Sequence, residues 1–158
     1  MNYLLRKLSL FKQKLQLIKR DQKTVKNSEQ NCLTCVGVGP GDPSLLTLAA
    51  VKAIENATLV AYPISSPGEE SMAAKIASHW LSKRKKKLPL LFPMVSDESL
   101  RKESWKSAAK NLVEAVDRGE NVAFLSQGDI SLFSTSCYLL LELQANYPHC
   151  PLKLVPGI

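Results

Sequence analysis

Gly37-Val38-Gly39-Pro40-Gly41-Asp42-Pro43 joins two runs of opposite character, and its reading decides the fold. Leu33 to Val38 is short, apolar and strand-prone. Ser44 to Ala57 places Leu45, Leu48, Ala49, Val51 and Ile54 at helical spacing, so a core-facing helix is expected there. Three glycines at the junction remove the Cβ atoms that would keep a ligand off the backbone. Asp42 suits an N-cap and Pro43 the first helical turn. A glycine turn leading from a strand into a capped helix is where α/β proteins bind small ligands. From this turn alone, a tight connection without a ligand stays open.

The turn is not a dinucleotide fingerprint. Gly37-x-Gly39 is present, but Asp42 stands where G-x-G-x-x-G needs its last glycine. A carboxylate there repels a pyrophosphate, and Pro40 removes an N–H from any anion nest. No Gly-Lys-Ser/Thr follows, which excludes a P-loop. The ligand is expected to tolerate a carboxylate and to need no phosphate cradle.

With 158 residues the chain can bury one good core. Its formal charge of +7 is unevenly spread: residues 1–31 hold eight Lys/Arg against two acids, and the remainder thirteen against twelve. The main domain is therefore close to neutral, which argues against a nucleic-acid footprint. No apolar stretch is long enough to span a bilayer. Cys32 and Cys35 form a C-x-x-C, but along a strand that spacing points the two side chains to opposite faces. Reduced structural thiols, no metal site and a cytoplasmic location are expected.

Residues 1–31 read as an extension and linker, and 32–158 as the domain. Leu4, Leu8, Phe11, Leu15 and Ile18 form a helical stripe flanked by Arg6, Lys7, Lys12, Lys14, Lys19 and Arg20. Such a helix can lie on an anionic membrane, bind a partner groove or act as an organelle transit peptide, but a frayed extension is the favoured reading. Beyond Leu33, strands are expected at Thr58–Tyr62, Leu88–Phe92, Val122–Leu125 and Leu152–Val155. Helices are expected at Glu69–Leu81, Asp97–Arg118 and Leu132–Ala145. Lys83-Arg84-Lys85-Lys86-Lys87 reads as a solvated loop. The alternation predicts an α/β fold, a five-stranded mostly parallel sheet with helices on both faces.

A second glycine turn, Gln127-Gly128-Asp129, follows the fourth strand and falls on the same sheet edge as the first. Carboxylates beside exposed backbone suit a ligand with hydroxyls and a cation, such as the ribose and sulfonium of S-adenosylmethionine. Gly37–Asp42, Leu45-Leu46-Thr47-Leu48, Ala61-Tyr62-Pro63, Gly128–Thr135 and Val155-Pro156-Gly157-Ile158 together resemble the tetrapyrrole methylases. Within that family, Tyr62-Pro63, Leu91-Phe92-Pro93-Met94 and Phe133-Ser134-Thr135 look most like the branch that methylates C-20 of precorrin-2 in cobalamin biosynthesis.

The resemblance implies S-adenosylmethionine held between two domains, with Gly39, Pro40, Gly41, Asp42, Gln127, Gly128, Asp129, Leu132, Ser134 and Thr135 on the cofactor side. It places Tyr62 and Pro63 on the substrate side and implies a homodimer in the full-length form. No catalytic side chain is assigned, because the electron-rich macrocycle carbon is itself the nucleophile. Relatives that methylate uroporphyrinogen III carry an acid where this chain has Pro63, which disfavours that acceptor. Ile130 replaces the usual proline after Gly-Asp. The family continues past the last motif into a second domain, so a truncated or fragmentary form of low activity is expected. Another tetrapyrrole methylase, such as a uroporphyrinogen III methyltransferase, or a catalytically silent half-domain that only binds a partner, are the alternatives.

Overall fold

β1 (Leu33–Gly37) is buried along its whole length, as a strand covered on both faces must be. It belongs to a five-stranded sheet seen in a computed structural model that describes residues 31–130 and 135–158. The chain divides into Met1–Gln30 and Asn31–Ile158, and the fold described is that of the second unit. The basic stripe from Leu4 to Ile18 lies outside the described residues, as do Leu132 and Ser134.

The other strands are β2 (Leu59–Ile64), β3 (Lys86–Leu91), β4 (Val122–Ser126) and β5 (Leu152–Val155), in the spatial order β3-β2-β4-β1-β5. All neighbours run parallel, with Val36 opposite Leu125 on one side and Val155 on the other. The connections contain α1 (Leu48–Asn56), α2 (Met72–Ile76), α3 (Glu98–Asp117) and α4 (Thr135–Asn146). This is the α/β architecture that the alternation of strand and helix signals predicts.

Side chains alternate across the pleat and sort into two core layers. Leu33, Cys35, Val122 and Phe124 pack with Leu112 of α3 and Leu139 and Leu143 of α4. Val36, Val60, Ala123 and Leu125 pack with Ala50 and Ile54 of α1 and Ala73 and Ile76 of α2. Helices therefore cover both faces. α1 leaves β1 on one face and α4 leaves β4 on the other, so the gap between the carboxyl ends of β1 and β4 is the switch point of the sheet.

Several elements differ from expectation for local reasons. The helix expected over Ser44–Ala57 is two pieces. Asp42 caps a single 3-10 turn at Pro43–Leu45, and Thr47 then caps α1 by accepting from the Ala50 amide at 3.1 Å. With the break at Leu46 the predicted stripe is not continuous: Leu45 and Leu48 are exposed, Leu48 to 81%, while Ala50 and Ile54 are buried. The helix expected over Glu69–Leu81 shortens to α2 because Ser71 caps it, followed by a 3-10 turn at Ser78–Trp80.

The lysine run is not simply a solvated loop. Lys86 and Lys87 are the first residues of β3, opposite Leu59 and Val60. Lys85 donates to the carbonyls of Glu55 and Ala57 at 2.7 and 2.8 Å, satisfying acceptors left open at the end of α1. Lys86 bonds Glu120, which also accepts from Thr58. The longest helix needed least correction: Asp97 caps α3 by accepting from the Ser99 and Leu100 amides.

Candidate functional site

At the switch point the two glycine turns are bonded to each other. The Gly39 amide donates to the Gly128 carbonyl at 3.2 Å, and the Gly128 amide returns a bond to Gly39 at 2.8 Å. Val38 adds a third tie, donating to Ser126 at 2.9 Å. Gly39 and Gly128 have φ of 79° and 70°, left-handed values that a side chain would oppose. The first turn lies over the end of β1 and the second over the end of β4.

The segment after β5 joins them. The Gly157 amide donates to a carboxylate oxygen of Asp129 at 3.1 Å. The backbones of Gly37, Gly128 and Gly157 then meet with no room between them. A Cβ on Gly37 would lie 2.6 Å from the Gly157 nitrogen and 2.8 Å from the Gly128 oxygen. A Cβ on Gly157 would lie 2.5 Å from that same oxygen. Neither Gly37 nor Gly157 is among the site residues assigned from sequence. The signal for Gly157 was its place in Pro156-Gly157 just after a strand, matching the glycine that ends β1.

Of the residues assigned from sequence, Gly39, Gly128 and Asp129 come together at this junction. Pro40, Gly41, Asp42 and Gln127 lie exposed around it. A Cβ on Gly41 would meet nothing within 4 Å, so open space adjoins this stretch of backbone. The Asp42 carboxylate accepts from the Ser44 amide at 2.8 Å. Hydrogen bonds from the Ser44 hydroxyl and amide hold its carboxyl below the usual range. It is therefore a cap as well as a negative charge at the rim.

Tyr62 and Pro63 lie within β2 rather than after it. The Phe92 amide donates to Ile64, so the polar groups of Ile64 face β3 and those of Pro63 face β4. β4 pairs with β2 only as far as Ala61, so the absent N–H of Pro63 breaks no ladder bond. Tyr62 packs on the α1–α2 core layer and, with Pro63, sits at the same carboxyl edge as the glycine turns.

That edge has a distinctive surface. Leu45, Leu48, Met72, Met94, Val95 and Ile158 are exposed and all lie in or next to the connections that follow strands, with Met94 at 91%. The same connections contain Asp42, Glu69, Glu70, Asp97 and Asp129 and no Lys or Arg. A groove of about 410 Å³ lies elsewhere, between β3 and α3, lined by residues including Pro89, Leu91, Glu103 and Asn111. Its walls include none of the glycine turns.

The buried cysteines are poor nucleophiles. The four cysteines are free, and burial pushes the Cys35 thiol up to about 12 and that of Cys150 to about 11. Cys32 and Cys35 diverge as their spacing predicts, Cys35 into the α3–α4 core layer and Cys32 toward Thr34 and Asn121. Among the described residues no group of three His, Cys, Asp or Glu side chains is placed to hold a metal, and no helix is long and apolar enough to cross a membrane. What the arrangement can do is bind and orient: it offers open backbone at Gly41, two fixed glycine turns and a carboxylate-lined apolar rim.

Comparison with known proteins agrees with this fold. The family model of Tetrapyrrole (Corrin/Porphyrin) Methylases matches residues 32–158. The cobalt-precorrin-2 C(20)-methyltransferase of Salmonella typhimurium is 30% identical over 128 residues, covering 80% of this chain and 52% of that protein. A probable cobalt-precorrin-2 C(20)-methyltransferase of Methanocaldococcus jannaschii is 35% identical over 104 residues, covering 66% of this chain and 44% of that protein. Among solved structures, the methyltransferase CobJ aligns with a TM-score of 0.61 at 23% identity, over 81% of this chain and 46% of that one. The chain spans about half the length of the curated relatives it matches.

Proposed function

Because the chain belongs to the tetrapyrrole (corrin/porphyrin) methylases, a family of S-adenosylmethionine-dependent methyltransferases, we propose that its glycine junction forms one wall of the cofactor site. The acceptor we assign is precorrin-2 or its cobalt form, methylated at C-20. The observation that carries the first part is the bonded pair Gly39–Gly128 at the switch point, where open α/β sheets bind ligands. The similarity to two C(20)-methyltransferases supports the second.

When bound, the cofactor supplies an electrophilic methyl group on a sulfonium. The residues here hold it. Gly39, Gly41 and Gly128 let it approach backbone, and Asp42 places negative potential near a cation. The exposed apolar side chains at the edge would exclude water once covered, and alignment with water exclusion is how such a site lowers the barrier. The acceptor carbon is the nucleophile, so no covalent enzyme intermediate is required. In the relatives about as much chain again lies outside the matched region, and the apolar edge is the face on which such a second domain would pack. A homodimer and a cytoplasmic location complete the proposal; sedimentation and cell fractionation test them.

A chimera tests the assignment. Residues 32–158 replace the matching half of the Salmonella enzyme, and methylation of cobalt-precorrin-2 and of uroporphyrinogen III is followed by mass spectrometry. A gain of 14 Da (one methylene equivalent) on cobalt-precorrin-2 supports the reading. Turnover of uroporphyrinogen III alone assigns the chain to the other branch. A folded chimera that binds S-adenosylhomocysteine but methylates neither acceptor refutes the C-20 assignment, and one that fails to bind it makes the chain a silent half-domain.

A further inference from the structure

Three turns meet over the carboxyl ends of β4, β1 and β5, and one side chain links the outer two. Asp129 follows β4, Gly157 follows β5, and β1 lies between those strands. The hydrogen bond from the Gly157 amide to Asp129 therefore reaches across the end of the central strand. It is a backbone amide donating to a side-chain carboxylate oxygen at 3.1 Å, within ordinary hydrogen-bond range.

We propose that Asp129 is a positioning residue: its carboxylate fixes the 156–158 segment against the Gly39–Gly128 pair and so sets the backbone surface that a ligand meets. The geometry around the bond carries the inference. The left-handed backbone at Gly128 turns the chain so that the next side chain points back toward the Gly157 amide. Gly37 and Gly157 lie in such close contact beneath it that the segment has one seat, and the carboxylate keeps it there. The bond occupies one carboxylate oxygen on protein backbone, so the residue shapes the site through Gly157. The functional half of this inference rests on the cofactor reading given above; the structural half does not.

The test uses the 158-residue chain as wild type, Asp129→Ala and Asp129→Asn. The first measurement is hydrogen exchange of the Gly157 amide by NMR without ligand, with the Phe124 amide in β4 as the internal reference. The second is calorimetric binding of S-adenosylhomocysteine. Loss of this hydrogen bond predicts that Asp129→Ala speeds Gly157 exchange and weakens binding by roughly three- to tenfold, with the Phe124 amide unchanged. Asp129→Asn keeps an acceptor oxygen and restores most of both. If Asp129→Ala folds and leaves Gly157 exchange as in wild type, the proposal fails. If Asp129→Asn restores exchange but not binding, the charge acts on the ligand directly and the positioning role is overturned. If wild type does not bind S-adenosylhomocysteine, the same variants are compared in the Salmonella chimera, where failure of the parent chimera to bind overturns the cofactor reading while the exchange measurement still decides the tie.

Discussion

Substituting Gly37 by alanine tests whether the three-glycine contact is real. Gly37 is the last residue of β1, and its backbone is not in the left-handed region. In open space Gly37→Ala would therefore stabilise the fold by about 0.4–1 kcal/mol, by restricting the unfolded chain. The structure reverses that sign. The new methyl group would fall 2.6 Å from the Gly157 nitrogen, 2.8 Å from the Gly128 oxygen and 2.9 Å from the Gly157 Cα. All three are backbone atoms, which cannot rotate aside, and overpacking of this kind costs about 1–3 kcal/mol, with rigid surroundings at the upper end. The net expectation is a loss of roughly 2 kcal/mol, or about 8 °C in Tm for a domain of this size.

Gly68→Ala is the control. Its Cβ would meet nothing within 4 Å, but its φ of +85° costs an L-residue about 1–2 kcal/mol. The two variants separate collision from backbone strain. Urea unfolding followed by the fluorescence of Trp80 and Trp105 measures both. Gly157→Ala should match Gly37→Ala, and the double variant should lose less than the sum, because the first methyl already parts the turns that the second would strike. A Gly37→Ala protein as stable as wild type, or a strictly additive double variant, refutes the contact.

Thr47→Ala removes the cap of α1 and should cost about 1 kcal/mol in the same urea titration, whereas a continuous helix through Leu46 would barely notice it. Glu120 accepts from Lys86 and Thr58, and these bonds hold its carboxyl below the ordinary glutamate range. A depressed folded-state pKa gives stability that is present above the unfolded value, near 4.3, and lost as pH falls through the folded value. The stability gap between wild type and Glu120→Gln should therefore be constant near neutrality and close in acid, and a gap independent of pH contradicts the assignment. Cys35 and Cys150, with thiols raised to about 12 and about 11, should resist iodoacetamide at pH 8 until the fold opens. Mass spectrometry of native and urea-treated protein checks this, and rapid native labelling of Cys35 would contradict its burial. If the acidic rim attracts a cationic cofactor, raising salt should weaken S-adenosylmethionine binding more than that of neutral-centred S-adenosylhomocysteine; equal slopes in calorimetry would remove the rim from the account.

The layers of the fold were legible because they follow from periodicity. Two-sided burial of Leu33–Gly37 and Val122–Ser126 reads as continuous apolar runs, and Asp97 and Gly119 bracket α3 as cap and stop. What misled were residues with two uses. Thr47 reads as a polar gap in a helix and is a new N-cap. Lys85–Lys87 read as loop because lysine avoids cores, yet a long stem lets an edge strand begin there with its charges in water. At the site, both glycine turns were visible as local patterns. Their bonding to each other was not, since it depends on β4 lying beside β1, a fact of strand order that no local pattern encodes. Gly157 was harder still: its partners, Gly37 and Asp129, are 120 and 28 positions away in sequence.

Strand order also explains how charge is distributed, and that bears on which ligand the edge can take. Connections that follow strands hold five carboxylates and no Lys or Arg, whereas Lys83, Arg84 and Lys85 precede β3 at the opposite edge. Glu70 meets Lys75 of α2 at 3.5 Å, which offsets one of the five charges and leaves the sign of the edge unchanged. Two unit charges a few ångströms apart near a protein surface interact by several kcal/mol, so the sign at this edge matters. It favours a sulfonium and opposes the ring carboxylates of a precorrin. A site built on this edge must therefore draw the cations that hold such an acceptor from outside these connections. If this edge is the cofactor wall proposed above, its charge favours the methyl donor, and Tyr62 and Pro63 of β2 are what it contributes to the choice of acceptor.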